Sequence, residues 1–179
     1  AAEWHAKSAE QGEIGALNDL ALSYYLGEGV EQNYEKAIEL WQDAAEKNNA
    51  VSQYYLAKCY YEGKGVDQDY VVAVEWFTKS SDFGNAEAQN ILGLCYYNAT
   101  GVEQNYKMAF ECFSKSAEQN NAEAQYNMAN CYYYGNGTKM NYGKAAEWYQ
   151  KAAEQGVSEA QYSIGRCYFL GQGVENNYI

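Results

Sequence analysis

The reactive side chains of this 179-residue chain are five cysteines, one histidine and 24 carboxylates. Cysteine catalysis needs a base at hand to take the thiol proton. His5 is the only candidate, and Trp41, Phe77, Phe113 and Tyr149 follow it at intervals of 36 residues, which marks a packing position. Cys59, Cys95, Cys131 and Cys167 recur at the same interval. Equivalent points of stacked elements lie about 8–10 Å apart, whereas a disulfide needs Cα atoms within about 7 Å. Neighbouring members of this column should therefore not bridge. Cys112 stands where Trp76 and Trp148 stand in other units, so small buried thiols are expected throughout. Glu3, Glu75, Glu111 and Glu147 each precede a lysine by four residues (Lys7, Lys79, Lys115, Lys151), a helix-supporting order broken by Glu39 and Asp43. These acids read as a solvated convex face, not as paired catalytic groups. The Gly-x-Gly loops lack the Lys-Ser/Thr of a phosphate loop. Asn98-Ala99-Thr100 and Asn136-Gly137-Thr138 fit the glycosylation sequon. No metal-ligand spacing is present. No enzyme, metal or cofactor is expected.

Charge and composition narrow the partners. A formal charge of −12 excludes nucleic acid and disfavours an anionic membrane surface. No apolar run approaches the roughly 20 residues of a membrane span. Sixteen glycines without one proline suit helices closed by glycine and asparagine. The chain starts at Ala1 with no signal-peptide pattern. It reads as a piece of a longer protein whose compartment and oligomeric state stay open.

A repeat sets the register of all these residues. Gly27-Glu28-Gly29-Val30 returns as Gly63-Lys64-Gly65-Val66 and Gly171-Gln172-Gly173-Val174, with Ala99-Thr100-Gly101-Val102 and Gly135-Asn136-Gly137-Thr138 between them. The second glycines are 36 residues apart, and Tyr34, Tyr70, Tyr106, Tyr142 and Tyr178 keep that phase. Each unit predicts two helices. In helix A, Ala88, Leu92 and Cys95/Tyr96 share a face. Asn85 and Asn121 are placed to cap such helices, and Asn33, Asp69, Asn105, Asn141 and Asn177 to cap helix B. Gly12, Gly84 and Gly156 close helix B. Its apolar stripe is Ala37, Leu40, Trp41, Ala44 and Ala45, repeated as Ala145, Trp148, Tyr149, Ala152 and Ala153. The expected organisation is a single all-α array over residues 1–179: a half repeat at 1–12, repeats at 13–48, 49–84, 85–120 and 121–156, and a half repeat at 157–179. Since one helix pair cannot bury its face alone, neighbours must stack, and more repeats or a different cap are expected to flank this piece.

Ala122-x-Ala124-Gln125, Leu92-Gly93, Tyr96, Gly63-x-Gly65-Val66, Lys144-Ala145, Trp148 and Lys151-Ala152-Ala153-Glu154-x-Gly156 resemble the Sel-one-like repeat family, relatives of the tetratricopeptide repeat. The resemblance covers essentially the whole chain. It implies a right-handed superhelical α/α solenoid of 36-residue helix-turn-helix repeats, serving as an adaptor or scaffold with no particular partner. Two loops depart from the pattern, at Ala99-Thr100 and at Thr138-Lys139-Met140, and are expected to be shaped differently. Some relatives staple their helices with cysteines about eight residues apart, a spacing absent here.

The functional expectation rests on helix A positions that vary while the fold positions stay fixed. Positions spaced i, i+4, i+7 and i+11, with an adjoining column, form a stripe away from the packing face. It comprises Asp19, Leu22 and Leu26; Tyr54, Tyr55, Lys58 and Glu62; Asn90, Ile91, Leu94 and Asn98; Tyr126, Asn127, Asn130 and Tyr134; and Tyr162 and Arg166. In tetratricopeptide-like stacks the A helices line the concave side, so this stripe is expected to grip a peptide or protein segment. The alternatives are an idle solvent face, a spacer or self-associating rod, and a hydrolase of cell-wall fragments as suggested for some relatives. Tyr24, Tyr60, Tyr96, Tyr132 and Tyr168 are expected to serve core and inter-repeat packing. The adjacent Tyr25, Tyr61, Tyr97, Tyr133 and Phe169 fit core and rim equally.

Overall fold

The computed structural model describes residues 13–174. The chain divides into two compact units, residues 1–88 and 89–179. Among the described residues are nine helices of 13 residues each and no strands. The first unit holds α1 (Ile14–Leu26), α2 (Tyr34–Glu46), α3 (Ala50–Glu62) and α4 (Tyr70–Asp82). α5 (Ala86–Asn98) begins at the division and lies mostly in the second unit, followed by α6 (Tyr106–Glu118), α7 (Ala122–Tyr134), α8 (Tyr142–Glu154) and α9 (Ser158–Leu170). The odd-numbered helices are the expected A helices and the even-numbered ones the B helices.

The caps act as their positions require. The side chains of Asn33, Asn105 and Asn141 accept from the amides of Lys36, Met108 and Lys144 at 2.9–3.0 Å, and Asp69 accepts from Val71 and Val72. Asn49, Asn85 and Asn121 cap α3, α5 and α7 in the same manner. At α9 the cap position is Val157, which cannot accept, and it is buried instead. Past each B helix one residue turns left-handed. Gly84 and Gly156 take that position, and so do Asn48 and Asn120, asparagine being among the residues that tolerate it best. Gly12 and Asn177 lie outside the described residues.

The 36-residue register has a steric cause. A Cβ on Gly65 would sit 2.6 Å from the Tyr34 Cβ, and one on Gly137 or Gly173 would meet the backbone of Tyr106 or Tyr142 at 2.0–2.5 Å. The second glycine of each such loop is therefore pressed against the first turn of the preceding B helix. The two departing loops keep the common backbone. Thr100 N and Asn136 N donate to the carbonyls of Cys95 and Cys131 at 3.0 Å, as Lys64 N does to Cys59. Ala99 takes glycine's place at φ 59°. Thr138-Lys139-Met140 does lose one clamp. Gln32, Gln68 and Gln104 donate to the carbonyls of Tyr25, Tyr61 and Tyr97 at 2.9 Å, and Met140 has no such group.

Small residues let the helices approach. Ala21, Ala37, Ala57, Ala73, Ala109, Ala129 and Ala145 are fully buried, as are Cys59, Cys95, Cys131 and Cys167; all five cysteines are free thiols. Trp41, Phe77, Phe113 and Tyr149 fill the volume between them. His5, which shares their column, lies outside the described residues.

A buried glutamine recurs at the start of the A helices. Gln53 and Gln125 donate to the carbonyls of Ala45 and Ala117, and Gln89 holds the equivalent place on α5. The Gln89 and Gln125 side-chain oxygens accept from Gln119 at 2.7 Å and Gln155 at 2.8 Å, thirty residues on. Thirty residues after Gln53 stands Phe83, 56% exposed, and the buried Gln53 Oε1 has no partner. Leaving a buried acceptor unmet costs about 1–3 kcal/mol. Phe83→Gln should supply the donor and raise stability by about 1 kcal/mol, read as a shift of the urea midpoint at unchanged slope.

Candidate functional site

Tyrosine packing sets which side chains of the A helices remain free. Tyr25, Tyr61, Tyr97 and Tyr133 each meet the first tyrosine of the following B helix edge-on, with centroids 5.0–5.3 Å apart. Three of their hydroxyls reach into the following Gly-x-Gly loop. Tyr25 accepts from Lys64 at 3.1 Å, Tyr97 accepts from Asn136 at 2.7 Å, and Tyr133 donates to Gln172 at 2.7 Å. The nitrogen of Asn136 that a glycan would occupy is thus held by Tyr97, whereas Asn98 is exposed. The neighbouring column packs against the core clusters at Tyr24, Tyr60, Tyr96 and Tyr132, as expected, and departs from that at Tyr168. Tyr24, Tyr60, Tyr96 and Tyr132 are half-buried and Tyr168 is exposed. Lys36 lies over the Tyr24 ring and Lys144 over Tyr132.

The lysine pairing is corrected as well. Lys79 and Lys151 sit 3.8 and 3.9 Å from the centres of the Trp76 and Trp148 rings, three residues back, in place of the expected Glu75 and Glu147 pairs. Glu3 and Lys7 lie outside the described residues.

In the first unit, Asp19 and Leu26 are exposed and Leu22 packs at the core's edge. Tyr55 stacks on Trp41 at 4.7 Å with planes 7° apart, and Tyr54 meets Tyr55 edge-on and tilts toward Phe77. Glu62 accepts from Lys64 at 2.7 Å and Tyr25 at 3.2 Å, with Lys58 at 3.9 Å. Burial works to raise the Glu62 carboxyl, but Lys64, Lys58 and the Tyr25 hydroxyl together hold it below the ordinary glutamate value. Lys58 and Glu62 are therefore engaged with their own unit.

In the second unit the stripe opens onto two clefts. One, of about 250 Å³, is lined by Leu94, Asn98, Asn127 and the aromatic rings of Tyr97 and Phe113. The other, of about 400 Å³, is lined by Tyr162, Arg166, Ser158, Glu159, Ser163, Tyr133 and Tyr149. Tyr126, Asn130 and Tyr134 line both, so the two clefts adjoin along α7 and together form the candidate groove. Asn90 lies beneath it, buried, its oxygen accepting from the Asn127 side chain at 3.0 Å. Ile91 is half-buried and lines neither cleft. Tyr134 and Tyr162 are 60% and 70% exposed, a large apolar area left in water.

Tyr149 was not anticipated as part of this site. It occupies the column of Trp41, Phe77 and Phe113, and the only signal in the sequence is its extra hydroxyl. That hydroxyl donates to Asn130 Oδ1 at 2.6 Å. Burial first, then neighbouring tyrosines, raises its pKa, so it stays a neutral donor.

Burial pushes Cys59 and Cys131 up to about 12 and Cys95 to about 11, so these thiols stay protonated and non-nucleophilic at neutral pH. Among the described residues no cluster of metal-ligating side chains forms, and no helix is long and apolar enough to cross a membrane.

The Sel1 repeat model matches residues 1–13, 14–49, 50–85, 86–121, 122–157 and 158–179. This chain belongs to the Sel1 repeat family. A solved protective antigen of uropathogenic Escherichia coli with the same repeat fold is 34% identical at a TM-score of 0.94, over 99% of this chain and 38% of that one. The chain thus spans well under half of that relative. A Sel1 repeat protein from Oxalobacter formigenes is 31% identical at a TM-score of 0.87, covering 93% of this chain and 69% of that one. An immunity protein of Pseudomonas aeruginosa is 26% identical at a TM-score of 0.60, over 93% of this chain and 62% of that one. No curated protein matches the sequence. Sel1 repeat proteins commonly act as protein-interaction scaffolds and are typically not enzymes.

Proposed function

We propose that this Sel1 repeat chain holds an extended segment of another protein in the groove formed by the A helices of its second unit. The adjacency of the two clefts, which share Tyr126, Asn130 and Tyr134, carries this proposal. Tyrosine rings offer large contact area at little cost in side-chain freedom, and the amides of Asn127 and Asn130 can meet a peptide backbone. The stripe of the first unit, with Leu22, Leu26, Tyr54 and Tyr55, is proposed as a second contact surface in its own right. A plain spacer would leave Tyr134 and Tyr162 without use.

The test is selection of binders from a random peptide library, followed by affinity measurement on variants. Tyr134→Ala and Tyr162→Ala should each weaken the selected peptides by about thirtyfold, as central aromatic anchors do. Because both rings are exposed, melting should move by less than about 0.5 kcal/mol equivalent. A library that yields no binder, or binders indifferent to both substitutions, contradicts the proposal. A mass that rises with protein concentration would favour the rod instead.

A further inference from the structure

The polar groups of the larger cleft specify more than a generic peptide, a reading that rests on the groove proposed for the second unit. Arg166 is the only arginine of a chain whose net charge is −12. It lines the cleft, is exposed, and among the described residues no carboxylate pairs with it. The side chain of Asn130 opens onto the same cleft with its orientation set. Its oxygen is taken by the Tyr149 hydroxyl at 2.6 Å, so the group left for a ligand is the Nδ2 amine. Guanidinium and amide NH2 are both donors without acceptors. A carboxylate is the matching partner, with two in-plane oxygens that suit the guanidinium fork.

The remaining charge in the cleft gives the site a direction. Glu159 precedes Arg166 by seven residues on α9, about 10 Å along the helix at 1.5 Å per residue. An anion is repelled at the Glu159 end and received at the Arg166 end. The exposed rings of Tyr134 and Tyr162 lie on the same lining and suit an apolar neighbour.

We propose that the cleft selects protein segments that carry an acidic side chain, received by Arg166 and Asn130 Nδ2, beside an aromatic or aliphatic one packed on Tyr134 and Tyr162. The alternative favoured by overall charge alone is a basic segment, drawn by the net charge of −12.

The experiment pans a random peptide library on the full chain and on its Arg166→Gln and Arg166→Lys variants, each first checked to melt with the parent. On the parent, Asp or Glu should dominate one position beside an aromatic or aliphatic residue. A synthetic peptide of the winning sequence should lose about tenfold in affinity when its acid is changed to the amide. That difference should vanish on Arg166→Gln and shrink on Arg166→Lys, whose point charge lacks the fork. Winning sequences rich in Lys and Arg, or an acid preference that survives Arg166→Gln, overturn the inference. Binders that need Tyr134 and Tyr162 but show no acidic position overturn it while leaving the groove. Binders indifferent to both tyrosines overturn groove and inference together.

Discussion

Gly137→Ala is expected to cost about 3–5 kcal/mol, the sum of a left-handed backbone penalty and a clash that must be relieved. On an array of this length that is a fall of roughly ten degrees in Tm. Gly137 sits at φ 73°, and a Cβ there would lie 2.0 Å from the Tyr106 carbonyl oxygen and 2.5 Å from its carbon. These are backbone atoms in the first turn of α6, tied down by the Asn105 cap, so no side chain can swing away to make room. Gly156→Ala is the control. Gly156 is also left-handed, at φ 93°, but nothing lies within 4 Å of its would-be Cβ. Only the conformational cost of about 1 kcal/mol should appear there. Equal losses at the two positions would mean that the loop does not press on the preceding helix, and the steric origin of the register would fall with it.

Trp41→Ala should cost about 3–5 kcal/mol, in the range for emptying a buried aromatic site. The indole is fully buried, stacked on Tyr55 and packed against Tyr25 at 5.4 Å. Trp41→Phe should behave differently. Nε1 of Trp41 is buried without a partner, so removing it recovers part of the desolvation cost of about 1–3 kcal/mol. Phe77 and Phe113 occupy the same column and are fully packed, which shows that a phenyl ring fits such a slot. Trp41→Phe is expected within about 1 kcal/mol of the parent. Chemical denaturation of the three proteins checks this, and a phenylalanine variant as damaged as the alanine one would contradict it.

The sequence carried the repeat almost completely, because glycine and asparagine are chosen for backbone conformation and a conformation recurs with the fold. That is why the caps at Asn33, Asp69, Asn105 and Asn141 and the loop glycines were legible. Adjacent tyrosines were not. Tyr24 and Tyr25 stand about 100° apart on one helix, and identical side chains give a pattern nothing to tell them apart. The burial of Gln53, Gln89 and Gln125 has no sequence signal, since a buried amide is recognisable only once partners such as Gln119 and Gln155 are placed. Lys79 had two partners in reach, Glu75 four residues back and Trp76 three back, and only the side-chain geometry chooses the ring.

The candidate groove was legible as a stripe but not in its depth. Asn90 and Asn127 both fall on the stripe, yet Asn90 sinks beneath it to accept from Asn127. Tyr149 rises from a core column into the groove through its hydroxyl, which no periodicity reveals. Lys58 and Glu62 looked like groove charges and are spent on each other and on Lys64.

The most direct measurement is an amide NMR titration of the full chain with the tightest selected peptide. Shifts concentrated on α5, α7 and α9, around Leu94, Asn127, Asn130, Tyr134, Tyr162 and Arg166, are what a segment held in the groove predicts. Shifts concentrated on the exposed faces of α6 and α8, with those A-helix residues unmoved, would place the partner elsewhere and contradict it.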